Sequence, residues 1–146
     1  MVLIQLETQV DRSVADVWRV LEDERRSTEW KTGCRAVELL EGEPGRVGVR
    51  WRLRFLERGR EFDLEATVVA VKEGEEYTVV YDHETMTSRI RTRLAAANGG
   101  TRVVVEVSVS GNTFAGKAMI AAGKGLMRGR LEGDLERFKQ LVESGT

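Results

Sequence analysis

The chain has 146 residues, a net charge of −1 and a pI near 6.0. That length suits one domain with one core, and 41% hydrophobic with 32% charged residues is the balance of a globular chain, neither disordered nor membrane-embedded. The near-neutral charge argues against a nucleic-acid-binding face, and a single cysteine (Cys34) beside a single histidine (His83) allows neither an internal disulfide nor a cysteine–histidine metal cage.

The N-terminus, Met-Val-Leu-Ile-Gln-Leu-Glu, lacks the basic start and long apolar run of a signal peptide. No stretch reaches the ~20 apolar residues of a membrane span, so a cytoplasmic location, with no stable membrane insertion, is the expectation. Residues 1–146 read as one domain, without linker or repeat.

Residues 2–10 alternate, with Val2, Ile4, Leu6, Thr8 and Val10 on one face, and predict a half-buried strand. Ser13, with Asp16 three residues on, opens a helix carrying Val14, Val17, Trp18 and Leu21 at helical spacing. Residues 24–30 form a second short, charged helix or turn ending on Trp30.

From residue 34 the period returns to two. Strands fit at about 34–41, 47–56, 61–71, 76–82, 86–97 and 101–109. Arg58-Gly59, Glu73-Gly74 and Asn98-Gly99 each suit a two-residue hairpin, and His83-Glu84 is a weaker turn. These turns set a register. Phe55 faces Phe62, Leu53 faces Leu64 and Trp51 faces Ala66, with Arg54 and Arg52 opposite Asp63 and Glu65. Val68 faces Val79, and Ala66 faces Tyr81. Across His83-Glu84, Tyr81 faces Met86 and Val79 faces Ser88. Across Asn98-Gly99, Leu94, Thr92 and Ile90 face Val103, Val105 and Val107, with Arg91 opposite Glu106. Every hairpin then turns apolar residues to one face and charges to the other, a pattern that a one-residue slip would destroy. The outward arginines meet outward acids, so a solvated face explains them better than a phosphate-binding surface does. In residues 34–41 the inward set is either Ala36, Glu38 and Leu40 or Val37 and Leu39, depending on a bulge near Glu41–Gly45.

From about 114 to 143 the pattern is helical. Ile120, Met127, Leu131, Leu135, Phe138 and Val142 form one stripe, which Met119, Gly123 and Leu126 widen in the first half. Ala115, Ala118, Ala122, Gly125, Gly129 and Gly133 line the other side. A tolerated surface explains that line, and two functional readings compete with it: a second copy packed there as a homodimer, or a loose first half acting as a gate around Gly123-Lys124-Gly125. The preceding Gly111-Asn112-Thr113-Phe114-Ala115-Gly116-Lys117 has phosphate-loop spacing. However, Ala118 stands where Ser or Thr would hold Mg²⁺, and the sheet is made of hairpins rather than βαβ units. Asn112 or Thr113 is better read as the helix cap.

The predicted class is α+β, a curved antiparallel sheet of about seven strands wrapped around a long C-terminal helix, with two short helices after the first strand. Val17-Trp18, Asp23 and Trp30, the turn Gly45-Arg46-Val47-Gly48, and the ending from Leu126-Met127-Arg128 through Leu135, Phe138, Leu141 and Val142 carry a resemblance. The chain resembles the helix-grip fold of the START/birch-allergen-like (SRPBCC) superfamily, and within it the polyketide cyclase/dehydrase-like bacterial members. That resemblance implies an elongated cavity between the concave face and the last helix. Members bind lipids, sterols, quinones, plant hormones or polyketides; some are cyclases or aromatases.

Trp51, Leu53, Phe55, Phe62, Leu64, Ala66, Tyr77, Val79, Tyr81, Met86, Ser88, Ile90 and Thr92 point to the concave face. Met119, Gly123, Leu126 and Met127 on the helix look toward them. These are the candidate contacts for an apolar small molecule, and a filled core is the alternative. Polar groups there are few: Ser88, Thr92, Tyr77 and Tyr81. Tyr81 and the turn residue His83, with Glu84 beside it, are the candidates for acid–base chemistry. Asp134, at the edge of the helix stripe, reads as a salt-bridge partner. No nucleophile–base–orienter set is visible, so binding of an apolar ligand without a cofactor leads. A cyclase or dehydratase, and a protein-interaction module like the Hsp90-activator branch, are the alternatives.

Overall fold

A computed structural model describes residues 1–145. Strand β1 (Val2–Val10) is followed by helix α1 (Val14–Leu21), a 3-10 turn (Glu24–Arg26) and the single-turn helix α2 (Ser27–Trp30). Six strands follow: β2 (Cys34–Glu41), β3 (Arg50–Glu57), β4 (Arg60–Lys72), β5 (Glu76–Asp82), β6 (Met86–Ala97) and β7 (Gly100–Gly111). Helix α3 (Phe114–Glu143) closes the fold. One antiparallel sheet runs in the order β1-β7-β6-β5-β4-β3-β2.

Short polar side chains start the helices. Ser13 Oγ accepts from Asp16 N, Asp23 Oδ1 from Arg25 N, and Thr113 Oγ1 from Gly116 N at 3.0 Å. The β3–β4 and β6–β7 turns are the predicted two-residue kind. Arg58, Gly59, Asn98 and Gly99 all take positive φ, as such hairpins require, and every pair predicted across these two turns forms.

Two other turns differ from expectation. The β4–β5 turn holds three residues, with Glu75 N donating to Lys72 O, and a bulge at Val69 restores the predicted Val68–Val79 and Ala66–Tyr81 pairs. The β5–β6 turn is two residues longer than a His83-Glu84 hairpin. Tyr81 therefore faces Ser88, not Met86, and Val79 faces Ile90, not Ser88. A shift of two keeps every side chain on its own face, so alternation could not detect it. Strand β3 starts at Arg50 rather than 47, after positive-φ glycines at 45 and 48. In β2, bulges at Arg35 and Leu40 put Val37 and Leu39 opposite Leu53 and Trp51, which settles the open register.

Helix α3 has two regimes. Its second half clamps the fold: Leu135, Phe138 and Val142 are buried, and the Phe138 ring meets Trp30 at 5.0 Å. Lys139 donates to Gln9 O and Glu143, and Glu143 accepts from Asp11 N. In the first half only Gly116 and Ile120 are buried, while Phe114, Met119 and Leu126 are exposed. The helix start is nevertheless fixed. Asn112 N donates to Thr85 O, and a side chain at Gly116 would collide with that same carbonyl. Gly116 thus belongs to a backbone contact with the β5–β6 turn, a role the helical wheel does not assign. The phosphate-loop glycine at 111 likewise lies against Lys117, where no Cβ fits.

Candidate functional site

Between the concave face and α3 lies a cavity of about 1140 Å³. Its wall is built mainly from alternating inward positions of β3 to β7 and from one face of α3. From the sheet come Phe55, Phe62, Leu64, Tyr77, Val79, Tyr81, Met86, Ser88, Ile90 and Thr92; from the helix come Met119, Leu126 and Met127. Met119 and Leu126 are 56% and 73% exposed, so they stand at the rim rather than in the interior. The β3–β4 hairpin supplies the facing rim through Glu57, Arg58 and Arg60. Across it Arg130 bonds Glu57 at 2.5 Å and donates to Thr32 O at 3.1 Å.

Four candidate contacts lie outside this wall: Trp51, Leu53, Ala66 and Gly123. Trp51 and Leu53 face inward, but at an end of the sheet that is packed solid. The guanidinium of Arg25, from the 3-10 turn, lies 5.0 Å from the Trp51 ring centroid, and Leu53 is completely buried. A Cβ added at Gly123 would meet no atom within 4 Å. The filled-core alternative therefore describes this end of the sheet and not its middle.

The longer β5–β6 turn orders the polar groups of the wall. Tyr81 pairs with Ser88 and Tyr77 with Thr92, and the apolar pair Val79–Ile90 lies between them. Beyond the backbone ladder, the Ser88 and Thr92 hydroxyls make no hydrogen bond to other described residues, which leaves them for whatever occupies the cavity.

The sequence reading missed the strongest polar feature. Glu24, in the charged segment after α1, is 3% exposed. It accepts from Tyr77 Oη at 3.0 Å, Ser27 Oγ at 3.2 Å and Lys31 Nζ at 3.2 Å. Lys31 also donates to Tyr81 Oη at 2.6 Å. Glu24, Ser27 and Lys31 are spaced by three and four, so a turn of helix puts them on one side. That spacing was the available signal. The tyrosines they meet lie about fifty residues further along.

This buried cluster shapes the site's electrostatics. Burial raises the Tyr77 phenol, and the Glu24 carboxylate raises it further. Tyr81 is pushed up to about 12, first by burial and then by Glu24, against the pull of Lys31. Burial opposes the charge on Lys31, but Glu24 and the phenol outweigh it, so the ammonium is held more firmly than usual. Glu24 and Lys31 together are a neutral pair.

His83 is half-buried at the rim, with its Nδ1 3.2 Å from Thr85 Oγ1 and its ring edge-on to Phe62. Glu84 is exposed. Asp134 accepts from Thr32 N and Oγ1 and pairs with Arg137 at 2.5 Å, the structural role expected of it. Among the described residues no cluster of His, Cys, Asp and Glu is placed to hold a metal, and no helix is long and apolar enough to cross a membrane.

Residues 1–143 match the family model described as polyketide cyclase/dehydrase and lipid transport. Among solved structures, the chain is similar to TTHA0849 from Thermus thermophilus, with TM-score 0.80, 14% identity and 99% of both chains covered. It is similar to the Zhui aromatase/cyclase from a Streptomyces species, with TM-score 0.80, 14% identity and 97% and 93% of the two chains covered. It is also similar to Ara h 8.0201, with TM-score 0.73, 18% identity and 98% of both covered. A search of curated protein sequences finds no match. At such identities the structural likenesses carry the fold alone, and that fold is the helix grip.

Proposed function

The chain belongs to the polyketide cyclase/dehydrase and lipid transport family of the START/birch-allergen-like superfamily, and on that premise we propose that it binds an apolar small molecule, lipid-, quinone- or polyketide-like, between the sheet and α3. The observation that carries this reading is the cavity itself. About 1140 Å³ bounded mainly by Val, Leu, Ile, Met and aromatic side chains has the size and lining of a small-molecule site, with a few placed polar groups to orient what enters. A protein-interaction module of the Hsp90-activator kind would be expected to fill that space with its own side chains.

Binding ranks above catalysis because of what the polar groups already hold. A cyclase or dehydratase needs a group free to take a proton from the substrate. Glu24 accepts three hydrogen bonds, one of them from the Lys31 ammonium. His83 has Thr85 as its partner and no carboxylate bonded to it. Access runs past the rim formed by Met119, Leu126 and the β3–β4 hairpin, with the part of α3 beyond its fixed start as the movable side. A cytoplasmic location is proposed with this reading.

Native mass spectrometry tests the reading. The purified chain, incubated with a panel of quinones, sterols, fatty acids and polycyclic aromatics, should form a one-to-one complex. Ile90→Trp, which places an indole in the cavity wall, should abolish that complex while leaving the circular dichroism unchanged. A chain that stays empty across the panel would overturn the proposal.

A further inference from the structure

We propose that the ligand carries a neutral carbonyl oxygen, received by the Tyr81 hydroxyl with the Lys31 ammonium beside it. This deepens the cavity-binding reading and rests on it.

The argument begins with unused donors. Tyr81 Oη accepts from Lys31 Nζ at 2.6 Å, and its own proton has no acceptor among the described residues. Lys31 Nζ has three protons; Glu24 and Tyr81 take two. Both groups line the cavity, and Tyr81 is only 8% exposed. Buried donors find partners in folded proteins. Every described acceptor bonded to these two groups is already counted, so an acceptor from the ligand is the natural complement. A carbonyl oxygen has two lone pairs and no proton, which matches two adjacent donors.

Charge then selects among oxygen-bearing ligands. Glu24 and Lys31 already neutralise one another, with side chains 2% and 12% exposed. A carboxylate head, as on a fatty acid, would bring an additional negative charge into a poorly solvated site beside Glu24, where the one cation, Lys31, is already paired; Arg58 and Arg60 lie at the rim instead. A ketone, quinone or ester carbonyl incurs no such penalty. The high affinity of the Tyr81 phenol for its proton keeps it a donor at neutral pH. Ser88, directly across the ladder from Tyr81, offers a second hydroxyl for a neighbouring oxygen.

Three probes with one aromatic body separate the possibilities: 2-acetylnaphthalene, 2-ethylnaphthalene and 2-naphthoate. The ketone should bind about fivefold more tightly than the hydrocarbon, the worth of one good hydrogen bond, and the carboxylate no better than the hydrocarbon. Tyr81→Phe should remove the ketone's advantage over the hydrocarbon. In the wild-type protein the infrared carbonyl stretch of bound 2-acetylnaphthalene should fall to the frequency of a hydrogen-bonded ketone, a readout that needs no variant. Equal binding of ketone and hydrocarbon, or an unshifted carbonyl stretch, overturns the carbonyl assignment and leaves the cavity reading standing. Preference for the carboxylate overturns the neutral head. Failure of all three probes to bind overturns both.

Discussion

Lys31 Nζ lies 2.6 Å from Tyr81 Oη and 3.2 Å from Glu24 Oε2. One ammonium thus joins the segment after α1 to the middle of the sheet, and does so in the wall of the cavity. Burial this deep disfavours ionisation of a neutral phenol, and this chain has only two tyrosines, Tyr77 and Tyr81, both in the cluster.

Phenol ionisation should therefore be absent near pH 10, the ordinary value for tyrosine, as long as the protein is folded. The phenolate absorbance in a near-ultraviolet titration should rise only with unfolding or close to the raised value of about 12 for Tyr81. The sign of the stability change follows. Tyr77, Tyr81 and Lys31 all have raised values in the folded chain, so the unfolded chain loses these protons first. Their contribution is complete below about pH 10 and declines as pH climbs through the folded values. Urea midpoints should fall steadily above pH 10. A reversible tyrosine step near pH 10 with native circular dichroism would contradict this.

Removing the cation alone should be costly. Lys31→Met leaves Glu24 buried without its counter-charge, and the expected loss is about 3–5 kcal/mol in urea denaturation at neutral pH. The double variant Glu24→Gln, Lys31→Met removes both charges and should recover most of that loss. A single variant as stable as wild type would mean that the pair is better solvated than its burial indicates.

The glycines of α3 should behave in two opposite ways. At Gly116 an added methyl meets the Thr85 carbonyl, so Gly116→Ala should destabilise by about 1–3 kcal/mol, the usual cost of overpacking. At Gly123 and Gly125 an added methyl meets nothing within 4 Å. There alanine should stabilise by about 0.5–1 kcal/mol per site through backbone entropy. Thermal denaturation of the three variants distinguishes the two cases.

A gate in α3 has a definite location once the cap is taken into account. Thr113, Asn112 and Gly116 tie the helix start to the β5–β6 turn, and Leu135, Phe138 and Val142 bury its second half. Between them, residues 117–130 bury only Ile120, and a gate would lie in that stretch. Hydrogen exchange should be faster in amides 117–130 than in 131–142, and should slow on ligand binding. Equal protection along the whole helix would rule out the gate.

Much of the fold was legible because its rules are local. Arg58-Gly59 and Asn98-Gly99 impose positive φ on both central residues, which fixes strand register at a distance of only a few residues. Ser13 and Thr113 cap the helices that follow them, and the 3.6-residue spacing of Leu131, Leu135, Phe138 and Val142 marks the face of α3 that docks. The placement of the concave set was legible as a face, but not as a wall. Alternation gives the side on which Trp51 and Phe55 both lie. It does not say that Arg25 and the 3-10 turn cover one of them while Phe55 lines open space.

The sequence by itself determined which residues face inward, where the chain turns, and that a long amphipathic helix must cover the sheet. Tertiary structure alone decided three further things. It set the two-residue offset between β5 and β6, because a shift by a whole period leaves every face unchanged. It divided the inward face into a packed end and a cavity, because packing depends on what arrives from distant segments. It made Glu24 and Lys31 interior groups, although their composition reads as surface, because Tyr77 and Tyr81 reach them from strand β5. A buried charge is stable only when its partners are in place, and those partners lie too far along the chain for any local pattern to reveal.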